Sequence, residues 1–285
     1  MPATYHQLSK AAWQIRQDIL TMIYRAGSGH PGGSLGMTDV FTALYLGKIL
    51  RHDPKRPEWD KRDYLLVSNG HISPVIYATL AKAGYFDRSE LSTFRQVSSR
   101  FQGHPHYVPQ LSERVPGVEN TSGPLGQGLS QAAGLALALR LDGKKNLVYC
   151  LMSDGEQQEG QIWEAYQFIA HHRLNQLIGV IDYNHIQISG TTKDVLDLGQ
   201  LKAKLMSFGL RVLEMNAHDF ASIFETFEKA KQPNQNPTII LAKSIPGKGV
   251  SFMEGDYRWH GKVPSNSEYN QALKELQIKE KTFVD

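Results

Sequence analysis

Two places in the sequence set a carboxylate and an amide where one cation can use both. The run Leu147–Met152 passes into Ser153-Asp154-Gly155-Glu156, and the run Leu177–Ile181 passes into Asp182-Tyr183-Asn184-His185-Ile186. Both runs have the short, apolar composition of buried strands, so Asp154 and Asn184 are expected at the ends of two successive strands. A magnesium ion prefers oxygen ligands in an octahedron and usually shares them with a phosphate, which suits this pair. Gly155 lets a phosphate approach the backbone closely, and the N-terminus of a following helix favours negative charge. An Asp-Gly after a strand is by itself a common turn. The pairing with Asn184 is what makes it a candidate site.

Four of the eleven histidines lie in glycine-rich segments: His30 in SGHPGGSLG, His71 in SNGHISP, His104 in QGHP and His260 in WHGK. Imidazole donates to phosphate and hydroxyl oxygens and moves protons near neutral pH. His6, His52 and His218 lack such company and are expected to be solvated polar residues. The segment Gly123-Pro124-Leu125-Gly126-Gln127-Gly128 precedes an Ala-rich helical stretch, Leu129–Leu139, and reads as its cap.

The elements that must position these residues alternate. Apolar residues at helical spacing predict a helix from Gln7 to Ala26, stopped by Gly27, then a loop from Gly27 to Gly33 and a second helix from Met37 to Leu50. Strand-like runs at Tyr64–Val67, Leu147–Met152, Leu177–Ile181, Leu210–Glu214 and Thr238–Leu241 are separated by helical stretches such as Gln161–His172 and Phe220–Lys231. This is the pattern of an α/β protein, a parallel β-sheet sandwiched by helices, in which ligands collect beyond the carboxyl ends of the strands. The 285 residues read as one domain, with a short C-terminal extension at about 263–285 that resembles an extra helix.

Lys and Arg total 31 against 28 for Asp and Glu. So small a balance suggests neither a nucleic-acid nor a membrane partner. The single cysteine, Cys150, sits in the apolar run LVYCLM, which excludes an internal disulfide and fits a reducing cytoplasm. No stretch approaches the roughly 18 apolar residues of a membrane span.

The pair Ser153-Asp154-Gly155 and Tyr183-Asn184 resembles the Gly-Asp-Gly and Asn-Asn signature of thiamine-diphosphate enzymes, with the first Gly and first Asn replaced. The segments GSGHPGGSLG, LVSNGHIS, GHP, TSGPLGQGLS, SDGEQQEGQIWEA, DYNHIQISG and GKGVSFMEGDYRWHGK follow the order and spacing seen in transketolases and cover nearly the whole chain. The resemblance implies the thiamine-diphosphate-binding fold, with thiamine diphosphate and Mg2+ (or Ca2+ or Mn2+) as cofactors. The metal would take the side chains of Asp154 and Asn184 and the backbone carbonyl of Ile186. By the same resemblance, His71, Gly123, Leu125, Gly155, Glu159, Asn184 and His260 are expected to bind the cofactor. His30, His104 and His260 would be catalytic, the first two meeting hydroxyls of the sugar donor. Glu159 and Glu164 match acidic positions at the family's subunit interface. Ile72 stands where the family commonly has a small residue.

The implied activity moves a two-carbon ketol unit from a ketose or ketose phosphate to an aldose, with the cofactor as electron sink. In this family the glutamate that protonates the cofactor's aminopyrimidine lies in a separate pyrimidine-binding domain. Only about twenty-three residues follow Lys262, too few for a domain. The chain is therefore expected to be the N-terminal subunit of a split transketolase, partnered by a C-terminal subunit carrying that glutamate, as a heterotetramer with two copies of each chain. Split transketolases of this kind serve the pentose phosphate pathway or the breakdown of branched or sulfonated sugars. The GHP and WHG segments argue against a 2-oxo acid dehydrogenase or a deoxyxylulose-phosphate synthase. No strand is followed by GxGxxG, which argues against a nucleotide-binding Rossmann protein. Retention of Asp154, Asn184 and the four histidines argues against a non-catalytic structural or regulatory homologue.

Overall fold

The structure is a computed structural model and describes residues 3–110 and 112–283. Its strands are β1 (Tyr64–Val67), β2 (Val148–Ser153), β3 (Leu177–Tyr183), β4 (Ile186–Gln187), β5 (Gly190–Thr191), β6 (Arg211–Asn216) and β7 (Thr238–Lys243). Five of them form a wholly parallel sheet in the order β1-β2-β3-β7-β6. The other two, β4 and β5, make a small antiparallel hairpin just past the end of β3. The helices are α1 (Tyr5–Ala26), α2 (Pro31–Gly36), α3 (Thr38–Tyr45), α4 (Ser73–Ala83), α5 (Gln127–Leu141), α6 (Gly160–His171), α7 (Thr192–Leu196), α8 (Leu201–Ser207), α9 (Phe220–Lys231) and α10 (Asn266–Lys281).

Successive strand residues face two different cores. Tyr149 and Leu151 join Leu65, Val67 and Ile240 in the core beneath α1, α3, α4 and α9. Val148, Cys150 and Met152 join Leu66, Ile239 and Leu241 in the core beneath α5, α6 and α8. Both faces being covered, the strands need apolar residues at every position, which is why they read as unbroken apolar runs. Strand ends fall within one or two residues of the sequence reading.

The first helix is well bounded. Thr4 and Gln7 form a reciprocal capping box, and Gly27 ends the helix in the left-handed region at φ 61°. Against it lies α10, held by Glu280, which accepts from Gln14 and Gln17 at 2.7 Å each, and by stacking of Tyr24 on Tyr269 at 4.2 Å. The extra helix expected in the tail is thus present, while Val284 and Asp285 lie outside the described residues.

Two helix expectations are corrected. The segment expected as a loop to Gly33 and a helix from Met37 to Leu50 is a pair of helices. Pro31 starts α2 in the first turn, where its missing N–H would have no intrahelical acceptor, and α3 stops at Tyr45 because Gly47 and Lys48 (φ 58°) turn the chain. A helix does not follow Gly155 directly either. A 3-10 turn, Gly155–Gln158, comes first, and α6 begins at Gly160.

Candidate active site

Parallel pairing puts Ser153 beside Asp182, so the ends of β2 and β3 lie side by side, and Asp154 N–H donates to the Asp182 carbonyl at 3.1 Å. The Asp154 carboxylate is buried. It accepts from the backbone N–H of Gly155 at 2.7 Å and of His185 at 2.5 Å. Asn184 donates to the Asp182 carboxylate at 2.9 Å and accepts from the N–H of Ile186 at 2.9 Å. Ser244, at the end of β7, donates to the other Asp182 oxygen. Burial, with the Asp182 charge adding to it, pushes Asp154 up to about 8, and burial pushes Asp182 up to about 6. The two carboxylates therefore occupy a place where negative charge is costly.

A second group forms where the loops gather the four histidines. His30 is the hub, with ring centroids 5.2 Å from His71, 6.3 Å from His104 and 5.6 Å from His260, while His71 and His260 are 4.9 Å apart. Glycines line the approach, with Gly32 the tightest. A methyl group on Gly261 would stand 3.4 Å from the His30 ring, and one on Gly32 would stand 3.0 Å from the Trp259 carbonyl. Gly123 lies against the His104 ring in the same way, at 3.6 Å. Burial lowers all four imidazoles. His260, Arg95 and His104 add to the effect at His30, which falls to about 4, and neighbouring histidines add to it at His71. The cluster is neutral at pH 7 and can donate or accept at each ring without carrying charge.

The remaining expected residues fall around these two groups. The Leu125 carbonyl accepts from Gln161 at 3.1 Å, and Glu159 packs beside Gly126. Glu164 is exposed on α6. Two histidines depart from expectation. His52 bonds Tyr85 and the Tyr45 carbonyl, and His218 is 11% exposed, because each has a buried partner in another element. His6 is exposed, its ring 5.4 Å from that of Phe283.

Supports that the sequence did not disclose lie beneath the site. Glu156 is fully buried and accepts from Ser68 Oγ at the end of β1, from Gly126 N–H at 2.6 Å and from Ser153 N–H at 3.1 Å. One carboxylate thus ties two strand ends to the loop before α5. On the far side, Arg16 of α1 forks onto Asp39 of α3 at 2.9 and 2.7 Å, and His218 Nδ1–H donates to the same carboxylate at 2.9 Å. His218 Nε2 then accepts from Ile245 N–H at 2.8 Å, and Arg16 donates to the Lys248 carbonyl at 3.1 Å. The segment that leads to His260 is pinned by these bonds. Burial pushes Asp39 up, but the Arg16 charge and the bonds from His218 and Arg16 prevail and hold it below the usual carboxylate range.

The donors present fit a small hard cation and an anion beside it. Asp154, Asn184 and the Ile186 carbonyl are all oxygen ligands. Among the described residues no group of three or more His, Cys, Asp or Glu could hold a metal, so a cation here would rest on amide and carbonyl oxygens beside Asp154, with water or a ligand completing its shell. Nothing in the chain crowds Gly155, where an added methyl would meet only Gln187 at 3.5 Å. Several buried polar atoms beside the histidines have no partner: His30 Nδ1, both amide atoms of Asn69 and Ser122 Oγ. Unpaired buried groups of this kind call for a ligand or an ordered water.

Residues 8–284 match the family described as transketolase, thiamine diphosphate binding domain. The chain is 38% identical to an apulose-4-phosphate transketolase subunit of Phocaeicola vulgatus, over 92% of this chain and 90% of that protein. It is 38% identical to the 6-deoxy-6-sulfo-D-fructose transketolase subunit SqwG of a Clostridium species, over 92% and 94%. Its fold superimposes on the solved transketolase of Campylobacter jejuni with a TM-score of 0.81 at 31% identity, covering 97% of this chain and 47% of that one. The chain thus spans about half the length of the solved transketolases it matches.

Proposed function

Since the chain belongs to the transketolase family and carries its thiamine diphosphate-binding domain, we propose that it is the diphosphate-binding subunit of a two-chain, thiamine-diphosphate-dependent transketolase. The observation that carries this is that α2 touches both groups: a methyl group on Gly33 would stand 3.7 Å from Asp182, beside the buried Asp154–Asn184 pair, and one on Gly32 would stand 3.4 Å from His260 of the neutral four-histidine cluster. Relatives that match this chain along most of their own length are named as single subunits of transketolases, which supports a partner chain. We assign Asp154, Asn184 and the Ile186 carbonyl to a divalent ion, Mg2+ before Ca2+ or Mn2+. The backbone at Gly155, with His71 and His260, is assigned to the diphosphate, and Gly123 and Leu125 to the aminopyrimidine side.

Bound there, thiamine diphosphate supplies the electron sink for cleaving a carbon–carbon bond next to a ketose carbonyl. The chain's own contribution is to place neutral imidazoles around the sugar. His30 and His104 would meet the donor's hydroxyls, and His260 would lie close to the reacting carbon. A neutral ring can accept a hydroxyl proton at one nitrogen while donating at the other, which an imidazolium cannot do. Glu159 and Glu164 face the partner, in a cytoplasmic assembly of two copies of each chain. The donor is a ketose or ketose phosphate of the pentose phosphate pathway, or a branched or sulfonated sugar of the kind named for the relatives.

Isothermal titration of the two-chain complex with thiamine diphosphate and Mg2+, followed by a ketose panel, tests the assignment. Binding is expected for the wild type and lost for Asp154→Ala with the fold intact by circular dichroism. Unchanged affinity in Asp154→Ala would sink the metal assignment, and no ketol transfer by the wild-type pair would sink the activity.

A further inference from the structure

Arg95 sits in a backbone conformation that side chains avoid, with φ at 59°. The turn is closed by its own N–H, which donates to the Phe101 carbonyl at 2.9 Å. This places the guanidinium over the Phe94 ring, 5.5 Å from its centroid, and flat against Gly103, where a methyl group would stand 2.6 Å from Nε and 2.7 Å from Cζ. Its Nη1 donates to Ser28 Oγ and its Nη2 reaches the Gly103 carbonyl at 3.5 Å. Ser28 lies two residues before His30, and Gly103 immediately precedes His104. The Nε–H is buried and has no partner. A left-handed backbone, a glycine-sized space filled by the guanidinium and an unused buried donor are costs that a solvated surface arginine does not carry.

We propose that Arg95 is a positioning residue that clasps the His30 loop to the His104 loop and so sets the gap between the two donor-side histidines. The proposal rests on the reading above that these two rings face the sugar. A planar fork suits the task because it holds two acceptors at fixed separation, which a lysine ammonium does not. The charge has its own effect. His30 faces His71, His104 and His260 as well as Arg95, and His104 faces His30 and Arg95. Burial is the first cause that keeps both rings neutral, and the arginine charge adds to it at each.

The fork and the charge can be separated with R95K and R95Q in the full-length chain. Imidazole resonances of the chain alone, titrated by NMR, are expected to show higher midpoints for His30 and His104 in R95Q and midpoints near wild type in R95K. In the reconstituted two-chain enzyme both variants are expected to raise the donor KM by about tenfold, since small displacements of positioning groups have effects of that order or larger. Their kcat is expected to change far less. Unchanged His30 and His104 midpoints in folded R95Q would overturn the proposal, as would an unchanged donor KM in R95K. If the wild-type pair shows no ketol transfer, the functional reading fails, while the titration still decides whether Arg95 governs the two rings.

Discussion

Glu156 is the residue whose removal should disturb the site most without touching any ligand. Its carboxylate is fully buried and receives three donors, Gly126 N–H at 2.6 Å, Ser153 N–H at 3.1 Å and Ser68 Oγ–H. In Glu156→Ala the Ser68 hydroxyl can turn to another acceptor, but the two backbone N–H groups cannot. Each buried donor left unpaired costs about 1–3 kcal/mol. A water entering the vacated space recovers part of that, so the net loss should be about 2–4 kcal/mol. Glu156→Gln keeps the shape. With its amide oxygen toward Gly126 and Ser68, its NH2 meets only the longer bond from Ser153, for a loss of about 1–2 kcal/mol. Urea denaturation of the chain gives the stability, and titration of the two-chain complex gives the cofactor affinity. Both are expected to fall in the order wild type, Gln, Ala, because the strut and the loop Gly123–Gly126 move together. A loss below about 0.5 kcal/mol in the Ala variant, within the ordinary range for surface substitutions, would refute the strut.

Two further outcomes follow from the same geometry. His30 is a weaker base folded than unfolded, falling from 6.5 to about 4, so its contribution is complete above pH 6.5 and drains away as pH falls through about 4. The buried Asp154 and Asp182 titrate in the opposite sense, their folded values being raised to about 8 and about 6. The informative quantity is therefore the stability gap between wild type and His30→Gln, which should narrow from pH 7 to pH 4 in thermal melts. A gap independent of pH would refute it. His218→Ala leaves Ile245 N–H and one Asp39 lone pair without their partner. It should cost about 1–3 kcal/mol by denaturation and lower kcat/KM through the segment leading to His260, and an unchanged kcat/KM would show that this segment is held by other contacts.

What the sequence made legible depended on whether the physical cause was local. The strands were readable because a sheet covered on both faces needs apolar residues at every position, as at Tyr149 and Cys150, which enter different cores. Asp154 and Asn184 were readable because a strand end fixes where its next side chain sits. The helix after His30 was misread since an apolar pattern continues across Met37 and past Tyr45, and only the backbone shows the breaks. Glu156, Arg95 and the Arg16–Asp39–His218 network were invisible for another reason. Their partners are distant in the chain, Ser28 for Arg95 and Ser68 for Glu156, so nothing in their own neighbourhood distinguishes them from solvated charges.

The charges around the site couple the binding of the cofactor to that of the ion. Asp154 and Asp182 are buried side by side, the four histidines are neutral, and Arg95 is spent on the loops of His30 and His104. A diphosphate entering alone would add negative charge beside two carboxylates whose ionised forms burial already disfavours, and would push their protonation further up. Two like charges about 4 Å apart repel by about 4 kcal/mol at an effective dielectric near 20, and Arg95, the cation beside His30 and His104, is engaged with Ser28 and the Gly103 carbonyl. A divalent ion held at the proposed Asp154–Asn184 site would reverse the sign. Cofactor and ion should therefore each raise the other's affinity by the same factor, as linkage requires. The factor expected from about 3 kcal/mol of coupling is about a hundredfold. Calorimetry of thiamine diphosphate binding to the two-chain complex, with Mg2+ and then with excess chelator, measures one arm, and Mg2+ titration with and without the cofactor measures the other. Asp154→Asn, which replaces an ionisable ligand by a neutral amide, should bind more weakly with metal present yet lose less on chelation. Equal cofactor affinity with and without metal would refute the charge argument, whatever the activity of the assembled enzyme.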